Sequence, residues 1–457
     1  MTTGPELAFA TVTELGTALR SGAVSPTELA IFFLDRLDTV GRSLNAVATL
    51  TPERAMAAAR RAEDELIAGV DRGPLHGIPY GAKDLLATVD YPTSWGAAPF
   101  RDQQFDQDAE VIRRLDEAGA VLVGKLSMVE LAGGFGYEQP DAAFNGPGIC
   151  AWGTDSWAGG SSSGSGSAVA AGCVPFAIGT ETWGSILCPS SFNGLSGLRP
   201  TYGLVSRKSA MALSWTMDKI GPMCHTAEDC DLILAAIAGS DDWAMTERPA
   251  GPFRIGVLAG AAGEAQAEVA TNFGAALDVL SDFGRLEEVS LAREIPWDAV
   301  ASVIVMAEAA SAFEEFIVSG DSQGLTAPED RVGLHHALAL PAVDYLRALR
   351  IRRKAMRVLD DTLRGFDAVV APTMPYVAIP LQDRFDTWFG RERGPSLGAA
   401  GNLCGAPSIT VMNGFGARGL PTGLEFMGRA GSERGLIELA KAYQSETNWH
   451  LRHPNTA

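Results

Sequence analysis

Glycine constrains this chain more than any other residue: there are 51 in 457 positions, concentrated in particular loops. Without a Cβ the backbone turns tightly and approaches other chains closely, so the surplus implies many short elements joined by sharp turns. The densest stretch is Gly159-Gly160-Ser161-Ser162-Ser163-Gly164-Ser165-Gly166-Ser167, which leads into the small residues Ala168 to Gly172. The run from Ala168 to Gly179 is too short and too small-chained to span a bilayer, and reads as a buried helix or strand.

Elsewhere the pattern alternates between helix and short buried strand. Val12 to Ala68 reads as helical, with Ser25-Pro26-Thr27-Glu28 as a start signal and Leu29, Phe32, Phe33 and Leu37 following at helical spacing. Past Pro74-Leu75-His76-Gly77-Ile78-Pro79 the texture changes to apolar runs cut by Gly and Pro. A helix over Asp108 to Ala118 precedes a strand at Ala120 to Gly124, and further strands are predicted at Arg254 to Leu258, Ala368 to Ala371, Pro407 to Val411 and Gly423 to Met427. A long Arg-rich helix occupies Pro341 to Leu363, and a last helix Ser432 to Tyr443. This alternation predicts an α/β fold with a large central mixed sheet covered by helices on both faces. With no internal repeat and no low-complexity linker, residues 1–457 read as one domain, with N-terminal helices over about 10–70 and a core over about 75–240. The segment of about 287–343 is a candidate lid over a substrate cleft.

At 46% hydrophobic and 20% charged the composition is globular, and 36 Lys+Arg against 55 Asp+Glu give a net charge of −19. Such a balance argues against nucleic acid and anionic membranes as partners. The six cysteines form no C-x-x-C pair and have no histidine at zinc spacing, so they read as free thiols in a reducing compartment. Met1 to Ala10 lacks a secretory leader pattern and no apolar run spans a membrane, which places the chain in the cytoplasm as an expectation.

Three segments carry chemistry. The serine–glycine loop presents hydroxyls and backbone N–H groups together, although it lacks the Gly-Lys-Ser/Thr of a P-loop and also reads as a flexible turn. Gly179-Thr180-Glu181-Thr182-Trp183-Gly184-Ser185 ends an apolar run on a turn whose N–H groups can converge on an oxyanion. Lys83, in Gly77-Ile78-Pro79-Tyr80-Gly81-Ala82-Lys83-Asp84, is either a desolvated lysine able to act as a neutral base or a surface lysine paired with Asp84. None of the six histidines sits in a triad setting.

Together these segments resemble the amidase signature family. Further matches are Pro189-Ser190-Ser191-Phe192-Asn193-Gly194, Gly197-Leu198-Arg199-Pro200-Thr201, Asp218-Lys219-Ile220-Gly221-Pro222-Met223 and Pro421-Thr422-Gly423-Leu424-Glu425. The likeness runs from about Leu15 to the C-terminal helix. It implies the family's fold and a hydrolase in which Ser185 is the nucleophile, Ser161 a relay serine held by a cis peptide bond, and Lys83 the base. The backbone N–H groups of Thr182, Trp183, Gly184 and Ser185 would hold the oxyanion, and Gly160, Trp183 and Leu187 would bound the substrate. No metal or cofactor is implied.

The chain departs from the pattern at Trp183, where the family has glycine, and at Leu187 and Cys188, where many members carry an arginine shortly after the nucleophile. With Trp152, Trp157 and Phe135 these changes predict a neutral, apolar or aromatic amide as substrate, with carbamates (urethanes) and esters as chemical neighbours. On that reading the partner is a small molecule and the chain a monomer or homodimer. The alternatives are the glutaminase subunit of a tRNA-dependent amidotransferase, a catalytically degenerate binding protein, and a nucleophile elbow at Gly160-Ser161-Ser162-Ser163-Gly164 with Ser162 attacking.

Overall fold

Ser25 starts its helix as its sequence predicts: its hydroxyl accepts the Glu28 N–H at 3.2 Å, and the Glu28 carboxylate accepts the Ser25 N–H at 2.8 Å. The helix Pro26–Arg36 follows, and Pro52–Ile67 lies beyond it. Between them the chain leaves helix for a strand, Val47–Leu50, where the sequence pattern predicts helix. Four residues give too short a pattern to reveal a period, and it is pairing at the sheet edge that makes this segment extended.

The computed structural model describes residues 5–239, 251–389 and 395–455. The first four residues, part of the stretch read for a leader, and residue 240 of the predicted core lie outside them. Thirteen strands are present among the described residues: β1 (Val47–Leu50), β2 (Pro79–Lys83), β3 (Val121–Leu126), β4 (Ile149–Cys150), β5 (Gly153–Trp157), β6 (Phe176–Glu181), β7 (Ser196–Arg199), β8 (Lys219–Cys224), β9 (Phe253–Leu258), β10 (Gly284–Val289), β11 (Ala368–Pro372), β12 (Ser408–Phe415) and β13 (Pro421–Met427). Eleven of them form one sheet in the order β1-β3-β2-β6-β8-β7-β12-β13-β11-β9-β10. It is mixed: β3, β2 and β6 run parallel, β6 through β11 alternate antiparallel, and β9 is parallel to both β11 and β10. Helices cover it, as predicted for the α/β class. The candidate lid begins inside β10, so its first residues belong to the sheet.

Parallel strands need crossovers, and the helix Ser163–Ala170 lies in the one that carries the chain from β3 past β2 to β6. Here the small side chains have their reason. The Gly164 N–H donates to the Ser127 carbonyl at 2.9 Å, and a Cβ at Gly164 would stand 2.5 Å from the Ser127 nitrogen. The helix therefore seats its backbone directly on the β3 end. Gly164→Ala is expected to lower stability by ~1–3 kcal/mol, because backbone rather than a flexible side chain has to move. Denaturant unfolding of the variant measures this. Among the described residues no helix is long and apolar enough to cross a membrane.

Candidate active site

Strand alternation sorts Lys83 from Asp84. Neighbouring residues in an extended chain point to opposite sides, so the two cannot share one environment. Asp84 pairs with Lys125 at 3.0 Å and accepts the Ser94 N–H at 2.9 Å. Lys83 is completely buried at the end of β2 on the other side, and its amine donates to Ser161 Oγ at 2.7 Å and to Thr180 Oγ1 at 3.0 Å. Burial lowers its pKa to about 7, against the opposing pull of Asp218 and Glu181. The reading of a surface lysine paired with Asp84 is thereby excluded.

Ser161 begins the tight passage into the helix Ser163–Ala170, and the Gly160–Ser161 peptide bond is cis. The Ser161 carbonyl accepts the Val129 N–H at 3.1 Å, and the Ser162 N–H donates to the Ser185 carbonyl at 3.3 Å. These bonds lay the serine–glycine loop against the turn that carries Ser185. Ser162 itself faces the sheet, its hydroxyl 3.2 Å from the Thr180 carbonyl, which is not the exposed summit a nucleophile elbow requires.

β6 uses the same alternation to build the turn. Thr180 and Thr182 face Lys83 and Asp218, and the Thr182 hydroxyl donates to Asp218 Oδ1 at 2.6 Å. Glu181 points the other way, fully buried, and its carboxylate organises everything after Ser185. One oxygen accepts the N–H groups of Ile186 at 2.9 Å and Leu187 at 3.0 Å; the other accepts Arg199 at 2.8 Å and Asn402 at 2.9 Å. Burial alone would raise its pKa, but Arg199, Lys219 and the Leu187 N–H outweigh it and hold the carboxylate at about 2. Gly184 takes φ 87°, and Trp183 is not among the positive-φ residues, so the indole sits there without left-handed strain. The N–H groups of Trp183, Gly184 and Ser185 have no hydrogen-bond partner among the described residues.

A cavity of about 270 Å³ opens at this turn, and Gly160, Trp183, Gly184 and Leu187 line it. The three residues predicted to bound the substrate thus come together, with polar and acidic groups the sequence reading did not place there: Glu264, Thr373, Ser396 and Asn402. No lining residue comes from the segment 287–343. Trp157 contributes to the wall while packing against Phe385 at 4.6 Å between ring centroids, whereas Phe135 is core. Among the described residues no group of three His, Cys, Asp or Glu side chains is arranged for a metal ion.

Glu181, Arg199, Thr180 and Asn402 escaped the sequence reading as site residues. Arg199 stood in a recognised segment without a role, and Asn402, more than two hundred residues from Glu181, left no signal at all.

A buried amine on one serine, a second serine on a turn of free N–H groups and an eleven-stranded mixed sheet define an enzyme of the amidase class, acting on carbon–nitrogen bonds. The family model Amidase matches residues 28–437, and the chain belongs to that family. It is 34% identical to a glutamyl-tRNA(Gln) amidotransferase subunit from Alkalilimnicola ehrlichii, over 97% of this chain and 98% of that one. The corresponding subunit from Halorhodospira halophila is 35% identical over the same shares. Among solved structures, the native peptide amidase of Stenotrophomonas maltophilia superposes with a TM-score of 0.86 at 31% identity, covering 98% of both chains.

The relatives correct two expectations. Full-length kinship to glutamyl-tRNA(Gln) amidotransferase subunits overturns the neutral, apolar amide, carbamate or ester as substrate, and with it the monomer or homodimer meeting only a small molecule. The physical reason is visible in the cavity. Reading the loss of one arginine at Leu187 as a loss of polarity ignored groups supplied from distant segments: Arg199 serves Glu181, and Glu264, Thr373 and Ser396 face the space.

Proposed function

We propose that this chain is the amide-hydrolysing subunit of an amidotransferase, releasing ammonia from a carboxamide such as that of glutamine for transfer to glutamyl-tRNA at a partner. The 2.7 Å bond from Lys83 to Ser161, beside the turn of Ser185, is the observation that carries the chemistry; the subunit role rests on the relatives' names. Neutral Lys83 takes the Ser161 proton as Ser161 takes that of Ser185, whose oxygen attacks the carbonyl carbon. The oxyanion forms against the N–H groups of the Thr182–Ser185 turn. Collapse breaks the C–N bond, the relay returns a proton to the leaving nitrogen, and ammonia departs. Water then hydrolyses the ester on Ser185.

Incubation of the full chain with glutamine, alone and with amidotransferase partner subunits, tests this. Glutamate and ammonia in equal amounts are expected, and more of both with the partners; no ammonia in either case overturns the reading. A protonated amine cannot accept a proton, so kcat/KM should rise with pH through a midpoint near 7, where Lys83 titrates. Burial also brings Lys219 to about 7. Lys219→Met separates the two: the variant is expected to keep the same midpoint.

A further inference from the structure

The long helix Ala342–Leu363 buries Ala348, Ala355, Leu359 and Leu363 and leaves its opposite side in solvent. That side is unlike the rest of the molecule. Arg350, Arg353, Lys354 and Arg357 are all exposed and stand at i, i+3, i+4 and i+7, which puts them on one face over ~10 Å. None has an acidic or hydrogen-bonding partner among the described residues. The helix's other charges are already engaged: Arg347 with Asp344 at 2.8 Å, Arg364 with Asp361 at 2.8 Å, and Arg352 inward on Thr216 at 2.5 Å. In a chain of net charge −19, four adjacent cations without an ion pair among the described residues repel one another along a helix, and the nearest carboxylates on it, Asp360 and Asp361, are engaged by Arg364 and Arg429.

The stripe continues into an apolar end. Val343 is 60% exposed and Leu346 57%, two turns and one turn before Arg350 on the same face. Beside them lies a groove of about 380 Å³ lined by Trp215, Leu338, Leu340, Ala342 and Tyr345, of which Trp215 and Leu338 are also exposed; its two carboxylates are Glu308, held by Ser214, Thr216 and Tyr345, and the exposed Glu314. Aliphatic and indole surface in line with unpaired cations matches a chain that offers carboxylates along one stretch and apolar side chains at its end. A nucleic-acid backbone would meet the cations and leave Val343, Leu346 and the groove uncovered.

We propose that this face docks an acidic amphipathic segment of a partner polypeptide, apolar residues in the groove and carboxylates along Arg350, Arg353, Lys354 and Arg357. The proposal rests on the subunit reading for the existence of a partner chain; its chemistry comes from the face itself.

The test is fluorescence anisotropy on the full chain with a labelled acidic peptide of about 20 residues, glutamates at i, i+3, i+4 and i+7 and leucines at one end. Binding is expected, weakening as salt rises through the range where surface charges are screened. The charge reversal R350E/R353E/K354E/R357E should weaken it about tenfold or more, as should V343D/L346D. A peptide with lysine for each glutamate should bind the charge-reversed chain better than the natural one, whereas R285E/R293E, on another surface, should change nothing. Undiminished affinity after charge reversal overturns the proposal, and so does bulk tRNA binding this stripe more tightly than the peptide does. Ammonia release from glutamine is measured on the same variants. It fails everywhere if the subunit reading is wrong, and stays at the natural level in them if only the docking face is wrong.

Discussion

Lys83→Met is expected to cut kcat/KM for amide hydrolysis by ~10²–10⁴-fold while the protein remains folded. Methionine fills most of the lysine's space and accepts no proton usefully, so the variant removes the base with little change in packing. Ser161 Oγ and Thr180 Oγ1 each lose one hydrogen-bond partner, a cost of ~1–3 kcal/mol that lowers the melting temperature by a few degrees only. Ser161→Ala should cost about as much activity, and the double variant no more than either single one, because the two groups move the same proton. Steady-state kinetics on the three variants decide the matter. Near-normal turnover by Lys83→Met removes the lysine from the mechanism; additive losses in the double variant mean that lysine and serine act separately.

Arg199→Ala is expected to be the most destabilising single change near the site, by ~3–5 kcal/mol. Arg199 is fully buried, bonded to Glu181 at 2.8 Å, to the Ala406 carbonyl at 3.1 Å and to Ser408 at 2.8 Å. Its loss strands the Glu181 charge in the interior. Glu425, 4.0 Å from Arg199, has its pKa raised by burial against the opposing pull of Arg199 and the Ser408 hydroxyl. The effect has a pH signature. Glu181 is held at about 2 against an ordinary 4.5, so the stability it confers is complete above about 4.5 and is lost as the pH falls through about 2. Without Arg199 the loss should begin at a higher pH. Arg199→Ala combined with Glu181→Gln should recover part of the stability, since no charge is then stranded. Chemical unfolding at pH 7 and acid titration of the three variants check this, and an Arg199→Ala protein as stable as the natural one would show that Glu181 is not held by that pair.

Much of the site was legible because its chemistry lies in short contiguous segments. Lys83 at the end of an apolar run, Ser161 in the serine–glycine loop and Ser185 on a Gly-Ser turn each stand in a segment that is ambiguous alone, and the resemblance of the whole set to one family is what singles them out. The helix start at Ser25 and the α/β alternation were legible for the same reason: capping and periodicity act within a few residues. What failed were inferences that crossed the chain. β1 escaped notice because only its partner β3 makes four residues extended. The candidate lid expected over about 287–343 starts within β10, whose place in the sheet is set by β9. Trp183, Leu187, Cys188 and the aromatic residues predict an apolar substrate, whereas Glu264, Thr373, Ser396 and Asn402 reach the cavity from segments with no mark of a site.

The sequence by itself determined the family and the α/β class, placed a few of the strands and helices, and through that resemblance singled out Lys83, Ser161 and Ser185. Tertiary structure alone decided their surroundings: that Lys83 turns from Asp84 toward Ser161, that Glu181 anchors the turn after Ser185 through Arg199 and Asn402, and that four cations on one helix remain unanswered among the described residues. The reason is physical. Local backbone preferences are fixed by neighbours in the chain, whereas burial and charge compensation depend on groups brought together by the sheet from hundreds of residues apart.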